Sequence, residues 1–329
     1  MSVSNEEKQK LLRQYDQQES VRKSTADSRK GSGYVMKRTI HIDVKEPQYL
    51  VNTNVTFAQV PGWCGHMTQD LKMDIIFPRE AKAPVPCIVW ICGGAWLQMS
   101  TCAHLAYLTD LARCGYAVAS VQYRTSNEAV FPAQLMDVKA AIRYLRAHAD
   151  RYHIDPRRFG VMGESAGGHL TAMTALTGNL REFDQGDYLE YSSAVQAACP
   201  WYVPSDVTQM PVDIPRDMQA APESLLIGKN AALHMEEALK ACPVTYVTEN
   251  APPFLILHGL CDRTVPFQQG EILHDRLAEK GNDVTLLAIE EADHADRQFF
   301  QRELWKLIEE FFREKLTGTF PGENGKKEE

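Results

Sequence analysis

The chain has 329 residues, of which 44% are hydrophobic, and its 35 Lys and Arg against 43 Asp and Glu leave a net charge of −8. A chain of about 300 residues buries roughly three quarters of its unfolded surface, so a sizeable core needs no disulfide staples. The acidic balance, with no basic patch carrying interleaved aromatics, argues against nucleic acid as a partner, and no run of about 18 apolar residues exists to span a bilayer.

Residues 1–34 read as a polar N-terminal arm with weak helical periodicity around Leu11, Leu12 and Tyr15. The arm has no apolar core of the signal-peptide kind. It offers a surface on which a second copy could pack as a homo-oligomer. Eight cysteines are dispersed without a C-x-x-C pair, and Cys87, Cys92, Cys114 and Cys199 lie in or beside apolar runs. Thiols so placed read as reduced, hydrophobe-like residues of a cytoplasmic protein.

From residue 35 to 317 the pattern alternates strand and helix. "TIHIDV" and "LKMDIIFP" show period two. "PCIVWI", "YAVASVQY", "RRFGVMG", "VQAACPWY", "PPFLILHG" and "VTLLAIEEA" are short apolar runs of the kind covered on both faces in a parallel sheet. Helical patterns fall between them, and Gly115 and Gly281 stand where helix C-caps belong. Alternation of this kind predicts an α/β sheet with helices on both faces. Residues 204–248, rich in Pro, Met and acidic residues, break the rhythm and predict a small helical cap insertion above the sheet's C-terminal edge. Residues 318–329 predict a frayed tail.

The stretch "GVMGESAGGHL" puts Ser165 between a strand and a helix, with Gly163 and Gly167 flanking it. A turn that sharp strains the serine backbone, and glycines let strand and helix approach. The serine hydroxyl then stands above the sheet at a helix N-terminus, as in the nucleophile elbow G-x-S-x-G. "VWICGGAW" ends another strand in a glycine pair, a loop that brings backbone N–H groups to a reacting carbonyl. The expected oxyanion donors are Gly94, Ala95 and Ala166. Downstream, Asp262 in "HGLCDRTVP" and His294 in "EEADHADRQ" each follow a predicted strand, giving the order Ser, Asp, His. Asp206 also follows a strand and is the alternative acid. His258 reads as a structural hydrogen-bonder, Glu290, Glu291 and Asp293 as a solvated turn, and His148 and His153 as surface residues. Glu164 reads as a residue pairing beneath the turn. Trp96, Trp201 and Tyr202 are candidate pocket walls.

These stretches, with "FPAQLMDVKAAIRYLRAHADRYHIDPRRF" and the pair Tyr123-Arg124, resemble the lipase/esterase branch of the α/β-hydrolase family over most of residues 35–315. That branch includes bacterial carboxylesterases, acetyl-xylan and feruloyl-type esterases and arylformamidases. The resemblance implies an eight-stranded, mostly parallel sheet with a cap, and ester hydrolysis without a cofactor or metal. It implies Ser165, Asp262 and His294 as nucleophile, acid and base, with the oxyanion loop on Gly93-Gly94-Ala95. Two departures stand out. Cys92 occupies the place where the loop usually begins with His, and Asp293 the place where a glycine often precedes the catalytic His. The expected substrate is a small-molecule ester with a short acyl or aryl group, acetylated or feruloylated carbohydrate included. An amidase, arylformamidase or peptidase of the same fold is the alternative, and a non-catalytic receptor on this scaffold a further one.

Overall fold

The computed structural model describes Gln9 and residues 38–62, 65–210 and 221–318 of the chain. It divides into two units, Met1–Lys45 and Glu46–Glu329. The expected arm helix around Leu11 and the tail beyond Gly318 lie outside the described residues. In the first unit, the predicted strand "TIHIDV" is not a strand. Ile40, Ile42 and Val44 are 62%, 70% and 93% exposed, so the alternation covers no face of a sheet.

The first strand instead is β1, Tyr49–Pro61, followed by β2 (Thr68–Pro78), β3 (Val85–Ile91), α1 (Leu105–Arg113), β4 (Ala117–Val121), α2 (Ala133–Ala147), β5 (Ile154–Glu164) and α3 (Ala166–Leu176). After these come β6 (Ala197–Trp201), α4 (Pro222–Ile227), α5 (Met235–Lys240), β7 (Phe254–Gly259), α6 (Gln268–Glu279), β8 (Val284–Ile289) and α7 (Arg302–Thr317). The strands form one sheet in the order β1-β2-β4-β3-β5-β6-β7-β8. The β1–β2 and β2–β4 pairs are antiparallel and all the others parallel. This is the α/β-hydrolase fold.

Helices cover both faces, as apolar runs in the central strands require. On one face Leu135, Val138 and Ile142 of α2, Leu170 and Met173 of α3, and Leu273 and Leu277 of α6 pack on the sheet. On the other, Leu108 and Leu111 of α1 meet Leu304, Ile308, Phe312 and Leu316 of α7. The amphipathic spacing of α7 puts those four residues on one stripe. Between β6 and β7, the described residues of 204–248 form α4, α5 and short 3₁₀ turns; residues 211–220 lie outside the description. No described helix is long and apolar enough to cross a membrane.

Candidate active site

The elbow is built by close backbone approach. A Cβ on Gly167 would stand 2.0 Å from the Ile91 carbonyl oxygen, and one on Gly163 would meet the same oxygen at 2.5 Å. Only glycine lets β3, β5 and α3 come this near. Ser165, held between them, takes φ 54° and ψ −120°, a conformation that costs a non-glycine residue free energy. Its N–H donates to the Trp201 carbonyl at 3.0 Å, and its own carbonyl accepts from His169 at 2.8 Å. The strained turn is therefore pinned from both sides, with the hydroxyl left free to point away from the sheet.

That hydroxyl meets His294 Nε2 at 3.0 Å. His294 sits on the loop after β8, and its Nδ1 lies 2.8 Å from Asp262 Oδ2. Asp262 sits on the loop after β7; its Oδ1 accepts the N–H groups of Thr264 and Val265 at 2.9 and 2.8 Å. With one oxygen occupied by amides, the other is aimed at the imidazole, which fixes the tautomer carrying the proton on Nδ1. Asp206, the alternative acid, lies elsewhere. It caps a 3₁₀ turn by accepting from the Thr208 N–H and hydroxyl and from Gln209 Nε2. His258 accounts for itself by its contact with the Val265 carbonyl at 2.8 Å. Asp293 is more than a solvated turn residue. It is paired with Arg263 and accepts the N–H of His294 at 2.8 Å. The hydrogen bond from the Arg263 guanidinium is the main reason that the Asp293 carboxyl is pulled down to about 2. Asp293 thus secures the backbone of the loop that carries His294. His148 contacts the Tyr144 carbonyl and His153 the Arg79 carbonyl, both remote from the serine.

The loop after β3 runs Cys92-Gly93-Gly94-Ala95-Trp96. Gly94 has φ 126°, and a Cβ there would strike the Gln98 carbonyl oxygen at 2.2 Å. Ala95 and Trp96 follow at φ 55° and 57°. Consecutive residues of this kind turn their N–H groups to one side, as an anion nest does. Among the described residues, neither Gly94 nor Ala95 gives its N–H to a backbone carbonyl. Ala166 opens α3, where the first N–H groups of a helix have no partner within it. Ala95, Ala166 and Ser165 all border one cavity of about 230 Å³.

Trp96 lies on the wall of this cavity, together with Val207, Met210 and Val265. The insertion between β6 and β7 supplies much of the rest, including Thr208 and Glu223. Trp201 and Tyr202, expected on the wall, are not there. Both are fully buried below it, Trp201 against Trp90 and Phe299, and Tyr202 against His294 and Phe299. The end of β6 turns both rings down into the core layer under α7.

Three residues support the site; Tyr123 and His169 were not legible as such in the sequence, while Glu164 pairs beneath the turn as expected. Tyr123 donates its hydroxyl to the Cys92 carbonyl at 3.0 Å, which braces the loop from β4. His169 is fully buried and links Trp96 to the insertion: its Nδ1 accepts from Trp96 Nε1 at 3.2 Å and its Nε2 donates to the Ala241 carbonyl at 2.7 Å. Glu164, under the elbow, joins His104 Nε2 at 2.8 Å and the Tyr202 hydroxyl at 2.5 Å. Burial alone would raise the Glu164 carboxyl, but the bonds from His104 and Tyr202 more than offset it and hold it below the ordinary carboxylate range. Tyr202, pushed up by burial and by the Glu164 charge, keeps its proton and donates it. The signal for this network was present only as Glu164 itself, since its partners lie far away in sequence.

Burial pushes His169 down to about 4. An unfolded histidine titrates near 6.5, so between pH 6.5 and 4 the unfolded chain binds a proton that the folded chain refuses. Stability from this residue is complete above pH 6.5 and falls as the solution is acidified, by up to about 3 kcal/mol for a fully buried site. Chemical denaturation at a series of pH values should show this slope in the wild type and its loss in His169→Gln. Equal slopes in the two proteins would mean that His169 is not the group responsible.

Residues 73–277 match the BD-FAE family. A probable carboxylic ester hydrolase of Mycobacterium tuberculosis, LipM, is 35% identical over 202 residues, which is 61% of this chain and 46% of that protein. Esterase LipC of the same organism is 32% identical over 214 residues, 64% of this chain and 53% of that protein. The chain spans about half the length of these relatives. Among solved structures, a truncated carbohydrate esterase from gut microbiota superposes with a TM-score of 0.74 at 31% identity, covering 83% of this chain and all of that one. The match to the family model takes in β3, the elbow strand β5 and the whole insertion, and it exceeds half of the sequence. On that ground the chain belongs to the BD-FAE family, a carboxylic-ester-hydrolase family of α/β-hydrolase fold.

Proposed function

We propose that the protein is a serine hydrolase of short-acyl carboxylic esters whose alcohol part is rich in hydroxyl groups, acetylated carbohydrate being the type. The observation that carries this reading is the unbroken chain from Ser165 Oγ through His294 to Asp262, opening into a cavity bordered by Ala95 and Ala166. Ser165 attacks the ester carbonyl while His294 Nε2 takes its proton. The N–H groups of Ala95 and Ala166, with Gly94 beside them, hold the negative oxygen of the tetrahedral intermediate. His294 then passes the proton to the leaving alcohol, and water, activated by the same imidazole, clears the acyl group.

The substrate class rests on the cavity. Its volume of about 230 Å³ is small beside common ligand pockets of about 300–1,000 Å³. Trp96, Val207, Met210 and Val265 make an apolar wall suited to a short acyl chain, and the insertion acts as its cap. Glu223 brings a carboxyl to the same wall, and burial raises that carboxyl above its ordinary range. Such a group accepts hydrogen bonds from a polyol. A carbohydrate esterase among the structural relatives supports the same class.

Hydrolysis of p-nitrophenyl esters of increasing acyl length tests the reading, run beside acetylated xylo-oligosaccharide, methyl ferulate and N-formylkynurenine. Turnover should depend on Ser165 and be highest at acetyl to butyryl. At octanoyl, overfilling of about 1–3 kcal/mol lowers kcat/KM roughly five- to 150-fold. A maximum at long acyl chains would refute the short-acyl assignment. Preference for N-formylkynurenine over every ester would move the protein to the amide-cleaving branch.

A further inference from the structure

Cys92, His104 and Glu164 bring a thiol, an imidazole nitrogen and a carboxylate oxygen within 4.8 Å of one another, beneath the elbow. None of the three borders the reaction cavity. They come from separate segments: the residue after β3, the residue before α1, and the last residue of β5. We propose that these three side chains form a binding site for a thiophilic divalent cation of the zinc class, distinct from the ester site.

The donor set makes the choice of ion. Thiolate and imidazole suit zinc and its analogues cobalt(II) and cadmium, whereas magnesium and calcium prefer oxygen alone. Tetrahedral bonds of about 2.0–2.3 Å place neighbouring donors roughly 3.3–3.8 Å apart. Cys92 Sγ lies 3.8 Å from Glu164 Oε1, already at that spacing. His104 Nε2 lies 2.8 Å from the same oxygen and needs to open by about half an ångström to admit the ion.

The surroundings are those of a supported ligand set. The Tyr202 hydroxyl holds the other Glu164 oxygen, and the Ser100 N–H faces the Cys92 sulfur. Such partners orient metal ligands, and the Ser100 N–H works against the burial that pushes the Cys92 thiol up to about 11. The His104 ring is stacked on Phe300 with centroids 5.0 Å apart and set edge-on to Trp90 at 5.5 Å, so its orientation is fixed before any ion arrives. Cys92 and Glu164 are buried, while the His104 side chain is 19% exposed, which gives an ion its way in. Without an ion, the thiol donates only across the long 3.8 Å contact with Glu164, a weak use of a buried S–H. Three protein ligands leave the fourth position to water.

Cobalt(II) titration of the full chain tests the site. One equivalent should give the visible bands of a tetrahedral ion and a near-ultraviolet thiolate-to-cobalt band, both removed by competing zinc. Cys92→Ser should abolish the near-ultraviolet band, and His104→Asn, which removes a ligand outright, should weaken binding by about a hundredfold or more, beyond the roughly 10–100-fold lost with an outer partner. His294→Asn, and serine at the exposed Cys102 and Cys261, should leave the spectrum unchanged. Zinc should also raise the thermal midpoint of the wild type and not that of Cys92→Ser, with circular dichroism confirming that the variant folds. Absence of the near-ultraviolet band at one equivalent overturns the proposal. So does a band that survives Cys92→Ser, or binding lost in His294→Asn. Because the readouts do not involve esters, they stand or fall separately from the hydrolase assignment.

Discussion

Alanine at Ser165 should lower kcat about 10⁴-fold or more while the fold persists. The size follows from the role: without the hydroxyl no acyl-enzyme forms, and only the oxyanion donors and substrate binding remain to accelerate attack by water. The fold persists because the backbone bonds of the elbow, to the Trp201 carbonyl and from His169, do not involve the side chain. The hydroxyl meets the His294 side chain, which is half-buried rather than sealed in the core. Two measurements check this together. The turnover of acetyl ester should collapse, and labelling by a fluorophosphonate, complete in the wild type, should vanish. Ester turnover near the wild-type level in Ser165→Ala would require another nucleophile and would dismantle the mechanism.

Asparagine at Asp262 should be nearly as severe, about 10⁴-fold in kcat, with little change in stability. The reason is directional. Oδ1 accepts two backbone N–H groups, from Thr264 and Val265, so the amide oxygen of asparagine keeps that place and its NH₂ faces His294. Facing a donor, Nδ1 must give up its proton, and the imidazole then carries it on Nε2. That nitrogen can no longer accept the proton of Ser165. Asp206→Asn makes the opposite case. Asp206 caps its turn through Thr208 and Gln209 and accepts from the Cys242 thiol, and it makes no contact with His294, so asparagine, itself a good cap, should cost about 1 kcal/mol and leave kcat within a few-fold. Reversal of the two effects would transfer the acid to the loop after β6.

Much of this architecture was legible in the sequence, for physical reasons that also explain the failures. The central strands are short apolar runs because both faces are covered, and the elbow is legible because close backbone approach leaves glycines at fixed spacing. Both are local. The edge strand β1 was missed because "YLVNTNVTFAQV" carries Asn, Thr and Gln, and its partly exposed faces impose no clean alternation. "TIHIDV" alternates better and forms nothing. Trp201 and Tyr202 were misplaced because sequence position gives the end of a strand but not the direction in which rings leave it. The grouping of Cys92, His104 and Glu164 had no pattern to betray it, since Cys92 and Glu164 are 72 positions apart and the sheet order alone makes them neighbours.

One regularity of the backbone bears on how this protein could change. Of nine described non-glycine residues with positive φ, six are Ala95, Trp96, Ser165, Tyr202, Glu291 and Ala295, all on the loops that leave β3, β5, β6 and β8 beside the serine. Each such residue costs of order 1 kcal/mol or more. Among the described residues, the strained backbone is therefore gathered at the rim of the proposed active site. Selection for heat resistance alone would find its easiest gains by relaxing that rim, and lineages so selected should lose turnover first, long before the helices and central strands record any change.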